Sequence, residues 1–188
     1  ALTDLVNYTN IPITQTLMGL GAVAANNKNF LGMLGMHGTY EANMAMHDCD
    51  VMLCVGARFD DRITGNLKYF SPNSKKIHID IDPSSINKNV KVDLAVIGDC
   101  YYILNMLIKE LKASKSKIDK NSIDNWWKTI DKWKSKDCLS FIDSEKSIKP
   151  QRALQELNKG LKGQDAYITT EVGQHQMWAA QYLDFNKP

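Results

Sequence analysis

Five short apolar runs constrain the fold of this chain more than any other feature. They cover 11–14, 29–35, 50–56, 76–82 and 92–98, and the last four end in glycine or aspartate. Their β-branched residues are typical of strands. The segments between the first four runs include 16–27 and 38–49, which have a helix-like composition. Near-continuous apolar strands that alternate with helices predict an α/β fold, with a parallel sheet covered by helices on both faces.

The residues directly after these predicted strands form a consistent set. Three of the predicted strands end in a glycine, namely Gly35, Gly56 and Gly98, and Asp80 lies at the end of a fourth. Glycine lets a ligand approach the backbone closely. An acidic residue at the end of a later strand is the usual partner for ribose hydroxyls. Because ligands of parallel sheets bind beyond the carboxyl ends of the strands, these positions predict a nucleotide site.

The third run ends in a cluster of charges that allows three interpretations. Arg58, Asp60, Asp61 and Arg62 follow it within a few residues. They could be an acid/base pair, a surface ion-pair cluster, or part of a ligand site. For Asp61 and Arg62, a local ion pair that fixes the loop is favoured over acid/base chemistry.

The second half of the chain predicts a closing helix, a linker and a new α/β unit. The linker region carries Trp126, Trp127 and Trp133 at helical spacing among many lysines. Packing of the tryptophans against a neighbouring domain is favoured over nucleic-acid binding, because nothing else in the sequence supports the latter. The predicted segments are helix 101–114, polar linker 115–122, helix 123–136, a helix opened by Pro150, strand 165–173 and helix 174–183.

Composition restricts the class of protein. Hydrophobic residues make up 44% of the chain, charged residues 23%, and the net charge is +2. These values predict a globular protein with no overall field directed at nucleic acid or at an anionic membrane. No apolar run approaches the ~20 residues that a membrane-spanning helix needs. The four cysteines lack CxxC spacing, which favours reduced thiols, and His47 and His78 lack the spacing of metal ligands. A catalytic role of His37 is disfavoured, because no serine or cysteine partner lies near it in the sequence.

Four segments of the sequence resemble one enzyme family. They are TLMGLG, LGMHGTYEANMAMHDCDVMLCVGARFDDRITG, EVGQHQMWAAQY, and KIHIDID followed by GDC. Together they resemble the thiamine-diphosphate-dependent acetolactate synthase (acetohydroxyacid synthase) catalytic large subunits. Members have three α/β domains, which bind the thiamine pyrimidine, FAD, and the diphosphate with Mg²⁺. The resemblance implies a Rossmann-like central FAD-binding domain at 1–114, a linker with a Trp/Lys-rich helix at 115–146, and the first elements of the diphosphate domain at 147–188. It also implies that the first strand and helix of the central domain are not included.

The resemblance also implies roles for individual residues. Gln174 and His175 would contact thiamine diphosphate at a helix start, where backbone amides favour phosphate. Asp61 and Arg62 would line the substrate channel. For Asp99, capping of the following helix is a strong alternative to cofactor contact. Met36, with Met18, Met33, Met44 and Met46, is compatible with a soft pocket wall, and ordinary core filling is the default for most of them. The implied FAD contacts are Thr16, Leu17, Leu34, Gly35, Met36, His37, Gly56, Ala57, Arg58, Phe59, Asp60, Asp80, Ile81, Asp99 and Cys100.

The function implied by the resemblance is the condensation of two pyruvates, or of pyruvate with 2-oxobutyrate, with loss of CO₂ in branched-chain amino acid biosynthesis. The family works as a homo-oligomer, a dimer or tetramer, and can carry a regulatory small subunit. A cytoplasmic location, or an organelle stroma in a eukaryote, follows from it. The activating glutamate and the Mg²⁺ motif of the family are not found in this sequence, so the segment alone is expected to be inactive. A redox relative such as a pyruvate oxidase and a non-catalytic nucleotide-binding module are the alternatives.

Overall fold

The strands form two parallel sheets. The computed structural model describes residues 1–115 and 118–188. In one sheet β1 pairs with β2, and in the other the order is β3-β4-β5. In the described residues β1 pairs with β2 alone and β3 pairs with β4 alone. The bounds are β1 Ile13–Gln15, β2 Phe30–Met33, β3 Val51–Val55, β4 Lys75–Asp80 and β5 Leu94–Ile97. The five predicted strands and their parallel arrangement are therefore confirmed.

Helices account for most of the remaining chain. Those predicted at 38–49, 101–114 and 123–136 form, as do the helix opened by Pro150 and the one at 174–183. The α-helices are α1 Leu2–Thr9, α2 Tyr40–Asp48, α3 Asp61–Thr64, α4 Cys100–Ala113, α5 Lys120–Lys134, α6 Pro150–Leu161 and α7 Gln174–Tyr182, and short 3₁₀ turns lie at Leu17–Gly19, Leu67–Tyr69 and Pro83–Ser85. None of the described helices is long and apolar enough to cross a membrane.

One core lies on the face of the larger sheet that α1 and α4 cover. Leu5 of α1 and Leu104 of α4 pack there against Ile79 of the central strand. All three side chains are at most 3% exposed. The register places Leu53 and Val55 beside Ile77 and Ile79, so the apolar side chains of neighbouring strands share this face. Alternation along the strands then directs the other set of side chains towards the opposite face.

A second core joins α5 to α2 and β2. Ile130 of α5 is fully buried against Leu31 of β2 and Ala42 of α2. The Trp126 and Trp133 rings make an edge-to-face contact at 5.5 Å between centroids. The Trp127 indole N–H donates a hydrogen bond to the carbonyl oxygen of Asn10 at 2.8 Å. The tryptophans of the linker region are therefore packing residues, as the favoured interpretation predicted.

The predicted helix at 16–27 is wrong. Only the 3₁₀ turn at Leu17–Gly19 forms, and Gly21 then takes a left-handed φ of 93°, which interrupts a helix. The Gln15 side chain holds the loop instead, since its Nε2 donates to the carbonyl of Val23 at 2.7 Å.

The predicted strand at 165–173 is also wrong. No strand forms there in the described residues, and Tyr167 and Val172 are 94% and 77% exposed. A strand needs a neighbour to which its backbone groups can bond, and none of the described strands lies beside this segment.

The residues after α7 pack against the loop that follows β1. The Ala25 N–H donates to the carbonyl of Phe185 at 3.0 Å. A Cβ atom at Gly21 would lie 2.0 Å from the carbonyl oxygen of Lys187. The chain after α7 therefore runs over Gly21 too closely for any other residue, and the C-terminal residues contact the loop that follows β1.

Candidate functional site at the strand exits

The carboxyl ends of β3, β4 and β5 meet at one edge of the larger sheet. The Gly56 N–H donates to the carbonyl of Ile79 at 2.8 Å, and the Gly98 N–H donates to that of Asp80 at 2.9 Å. The positions predicted from the sequence therefore lie side by side. We use the term strand-exit ledge for Thr16–Leu17, Leu34–His37, Gly56–Asp60, Asp80–Ile81 and Asp99–Cys100.

The exit of β2 joins this edge through the loop after β3. The Met36 N–H donates to the carbonyl of Arg62 at 2.9 Å. Asn43 of α2 holds Gly35 on both sides, because its Oδ1 accepts from the Gly35 N–H at 2.8 Å and its Nδ2 donates to the Gly35 carbonyl at 2.9 Å. Gly35 is buried with a φ of 94°, and a Cβ there would lie 2.7 Å from the Arg62 carbonyl oxygen. The space that the missing side chain leaves is therefore filled by the protein itself.

Phe59 fixes the loop after β3 from inside. Its backbone has a left-handed φ of 53°, which is uncommon for a bulky residue. Its ring is only 5% exposed and packs edge-to-face on Phe70 at 5.8 Å and on His78 at 5.1 Å. Asn89 donates a hydrogen bond to the Phe59 carbonyl at 2.9 Å. The Phe59 ring therefore faces the protein interior, and its backbone is the part that remains at the ledge.

Arg58 and Asp60 form the ion pair of this loop. The guanidinium lies 2.8 Å from the carboxylate, and 71% of the Arg58 side chain is exposed. A hydrogen bond from the Asp61 carboxyl, another from the Arg62 N–H, and the Arg58 guanidinium hold the pKa of Asp60 below its usual range. In the described residues neither Asp61 nor Arg62 belongs to an ion pair, so the local ion pair expected for them is wrong, and the pair that forms in this loop is Arg58–Asp60. Both are exposed in α3, and Asp60 caps that helix.

The exits of β2 and β4 combine apolar and acidic groups. Met36 and Ile81 are 65% and 67% exposed, unlike the buried carboxylate of Asp80 beside them. The Asp80 Oδ1 accepts from the Asp82 N–H at 2.9 Å, which fixes the carboxylate at the sheet edge. Exposed apolar side chains beside a fixed acceptor and a cation fit an amphipathic nucleotide such as a flavin.

Asp99 is primarily a helix cap. Its Oδ1 accepts from the N–H groups of Tyr101 and Tyr102 at 2.9 and 3.3 Å, which confirms the capping alternative. Burial, with smaller contributions from the Asp80 and Asp99 carboxylates, raises the pKa of the Cys100 thiol. Burial also raises the pKa of Cys54 to about 12. Because thiolates are the reactive form, neither thiol is prepared for nucleophilic chemistry.

Gln174 and His175 lie in the first turn of α7, exposed. Near the other end of this helix the Gln181 Nε2 donates to the carbonyl of His37 at 2.9 Å, so α7 contacts the ledge directly. Seven residues of helix separate Gln174 from Gln181, which is about 10 Å along the axis. The predicted diphosphate contacts therefore begin a helix whose far end touches the strand-exit ledge.

Arg152, Gln181 and Tyr182 line a cavity of about 530 Å³, and Gln181 is also the residue whose amide bonds the His37 carbonyl of the ledge. The Arg152 guanidinium in this cavity is already paired with the carboxylates of Asp143 and Glu156. In the described residues no three histidine, cysteine or acidic side chains are placed to hold a metal ion.

Two residues that organise the ledge are not signalled by any sequence pattern. Asn43 lies in the middle of α2 and Asn89 in a polar loop, and both use side-chain amides to bond backbone groups of the ledge. Asparagine is common in helices and loops, so composition and spacing did not distinguish them.

Comparisons with known proteins agree with this geometry. Residues 1–107 match the family model described as "Thiamine pyrophosphate enzyme, central domain". The acetolactate synthase isozyme 3 large subunit of Escherichia coli K12 is 46% identical over 187 residues, which is 100% of this chain and 32% of the relative.

Two further relatives carry the same name, acetolactate synthase large subunit. That of Buchnera aphidicola from Schizaphis graminum is 49% identical, and that of Haemophilus influenzae is 48% identical, each over 95% of this chain and 31% of the relative. The chain thus spans about a third of the length of the curated relatives it matches. The family match covers more than half of the described fold and all five of its strands. Residues 1–107 match the central domain of the thiamine pyrophosphate enzymes, and the chain therefore belongs to this family.

Proposed function

We propose that this chain acts within an acetolactate synthase large subunit. That enzyme condenses two pyruvates, or pyruvate with 2-oxobutyrate, and releases CO₂ in branched-chain amino acid biosynthesis. The observation that carries the proposal is the 46–49% identity to large subunits of this name across 95–100% of the chain. A regulatory small subunit, a homo-oligomer, and a cytoplasmic or stromal location belong to the same proposal.

The strand-exit ledge is the proposed FAD site. Its exposed Arg58 suits the pyrophosphate or the flavin, and the fixed carboxylate of Asp80 suits the ribose. Met36 and Ile81 supply apolar surface for a ring system. The backbone at Gly56 is exposed, with a left-handed φ of 61°, so a ligand can approach it closely.

The start of α7 is the proposed diphosphate side of the thiamine site. Gln174 and His175 are exposed there, and free N–H groups at a helix start favour phosphate. Thiamine diphosphate supplies the carbanion chemistry when bound, and the protein positions it. Mg²⁺ would be held by residues outside this segment, and Asp61 and Arg62 are proposed as walls of the substrate channel.

A flavin titration of the purified chain tests the ledge directly. Arg58→Ala should weaken FAD binding about 10- to 100-fold, since a charge-assisted hydrogen bond is lost. Arg62→Ala is the matched control, because Arg62 is also exposed but is assigned to the channel, and it should bind FAD as the unaltered chain does. If the unaltered chain binds neither FAD nor ADP at high micromolar concentration, or if both variants bind equally well, the FAD assignment is wrong.

The enzymatic proposal is tested in the full-length protein. Acetolactate should form from pyruvate alone, with no electron acceptor in the assay. A requirement for an electron acceptor would instead identify a redox relative such as a pyruvate oxidase.

A further inference from the structure

His78 is a buried histidine whose ring nitrogens both lack a regular hydrogen bond. It lies on β4 and is 0% exposed. In the part of the chain that the structure describes, neither Nδ1 nor Nε2 has a hydrogen-bond partner. Buried polar side chains are bonded in the large majority of cases, so an exception at this position requires a physical reason.

The surroundings of His78 connect it to the ledge. Its register partners are Cys54 on β3 and Ala95 on β5, so it occupies the centre of the sheet below the strand exits. Its ring makes the edge-to-face contact with Phe59. Asp80 follows two residues later on the same face, and its Oδ2 lies 3.5 Å from the Nε2 of His78.

The other charged group on this face is already engaged elsewhere. Lys76 precedes His78 by two residues, and its Nζ donates to the carbonyls of Ser71 and Ser74 at 2.8 and 3.1 Å. The Asp80 Oδ1 is likewise engaged by the Asp82 N–H. The Asp80 Oδ2 is therefore the acceptor available to the imidazole.

We propose that His78 is a positioning residue for the ledge, which holds the Asp80 carboxylate through Nε2–H and supports Phe59 through its ring. The proposal rests on the proposed function of the ledge as an FAD site. A closing movement of a few tenths of an ångström would bring the two atoms to normal hydrogen-bond distance. Each carboxylate oxygen has two acceptor positions, so Asp80 can still accept from a ribose hydroxyl.

An apolar residue would fill the same space without leaving a nitrogen unbonded. Phenylalanine could keep the edge-to-face contact with Phe59 and would bury no acceptor. A polar ring in a fully buried position indicates a role beyond packing, and here the group it faces is the Asp80 carboxylate at the ledge.

Two substitutions separate positioning from packing. His78→Phe keeps an aromatic ring and removes the donor, and it should weaken FAD binding about five- to tenfold. Stability should change little, because removal of the unbonded Nδ1 offsets the lost contact to Asp80. His78→Gln retains a side-chain donor and should restore binding to within about threefold of the unaltered chain.

A double substitution identifies the partner. In the Asp80→Asn background, His78→Phe should change FAD affinity by less than about twofold, because the two residues act as one unit. Full additivity of the two effects, unchanged FAD affinity in His78→Phe, or a loss of affinity that parallels a large loss of stability would each overturn the positioning role.

An NMR measurement on the ligand-free chain tests the positioning role of His78 even if FAD does not bind. The His78 ¹⁵N signals should report a proton on Nε2, and Asp80→Asn should shift that signal. A proton on Nδ1 alone, or a spectrum that Asp80→Asn leaves unchanged, would overturn the proposal. Absence of FAD binding by the unaltered chain would overturn the FAD assignment itself, which distinguishes the two failures.

Discussion

Several residues of the ledge are fixed by contacts that only the folded chain creates. Gly35 must be glycine because the carbonyl of Arg62, distant in sequence, occupies the place of a side chain. Phe59 adopts a left-handed backbone because its buried ring and the Asn89 amide together hold it there. The sequence predicts that these positions belong to the site, since both follow a strand. It does not predict that protein packing determines them, because the opposing groups come from other elements.

Gly35→Ala should destabilise the chain by at least about 2 kcal/mol. Alanine would be strained in the left-handed backbone conformation of this position, and its Cβ would also clash with the protein. A Cβ there would lie 2.7 Å from a backbone carbonyl oxygen, which cannot move freely. Gly160→Ala is the control, because Gly160 lies in α6 with no atom within 4 Å of a new Cβ. It should leave stability unchanged or raise it by up to about 1 kcal/mol. Urea unfolding measures both, and equal effects of the two substitutions would contradict the packing argument.

Phe59→Ala should lower the free energy of unfolding by about 3 kcal/mol, because a buried ring is removed and a cavity remains. The Phe70 and His78 rings lose their contact at the same time. Tyr69→Ala is a matched aromatic control, since Tyr69 is 60% exposed, and it should stay within about 0.5 kcal/mol. Chemical denaturation measures the free energy of unfolding of both variants. A small loss of stability in Phe59→Ala would show that the loop does not depend on the Phe59 ring.

Among the elements, α5 shows how far pattern reasoning extends. The spacing of its tryptophans predicts a packing helix, and α5 indeed buries Ile130 against α2 and β2. The same reasoning failed at 16–27, where small apolar residues resemble a helix but Gly21 adopts a left-handed φ. It failed again at 165–173, because a strand depends on a neighbour that local sequence does not specify.

Ile130→Ala should destabilise the chain by about 3–4 kcal/mol, because the side chain is fully buried between two helices and a strand. The Trp126–Trp133 pair lies in the same cluster, so near-ultraviolet circular dichroism should change as well. Ile142→Ala, at a position 85% exposed, is the control and should have no measurable effect. A stability loss below about 1 kcal/mol for Ile130→Ala would mean that α5 is not part of the cooperative core.

The start of α5 should be sensitive to acid. Hydrogen bonds from the Ser122 hydroxyl, then from the Ser122 and Asn121 N–H groups, hold the pKa of Asp119 below its usual range. A carboxyl with a depressed pKa stabilises the fold above its unfolded value, and the stabilisation is lost as pH falls through the folded value. The unaltered chain should therefore lose stability relative to Asp119→Asn between about pH 5 and pH 2. A stability difference between the two that is constant over that range would contradict the assignment.

At the scale of the whole molecule, the C-terminal residues are linked to the loops that follow β1 and β2. Gln181 of α7 bonds the His37 carbonyl, and Phe185 bonds Ala25. The division into a domain at 1–114, a linker at 115–146 and a second domain from 147 stays a prediction. The parallel α/β arrangement follows from the sequence, because the alternation of strands and helices is local. The link through α7 does not, because nothing in Gln181 itself identifies its partner.

Gln181→Ala should increase amide hydrogen exchange at the exit of β2, because the hydrogen bond between α7 and the ledge is removed. Gln176→Ala in the same helix is the control, since no side-chain contact to the ledge is observed for it in the described residues. Hydrogen–deuterium exchange followed by mass spectrometry measures both. Equal exchange in the two variants would mean that α7 does not restrain the ledge.

Among the described strands β3 pairs with β4 alone, and this has a consequence for how the 188-residue chain behaves in solution. Its sequence VMLCV is continuously apolar, yet none of its five residues is buried. Continuously apolar parallel strands usually have neighbours at both edges. On the outer edge of β3 the Val51 N–H donates to Asp50 Oδ1 at 2.8 Å, and the remaining backbone groups of this edge are a template for an extended segment of another molecule. The sedimentation coefficient should therefore rise with concentration, and Val51→Lys, at an edge residue 53% exposed, should suppress the rise. Monomeric sedimentation of both proteins across the whole concentration range would show that this edge does not recruit strands.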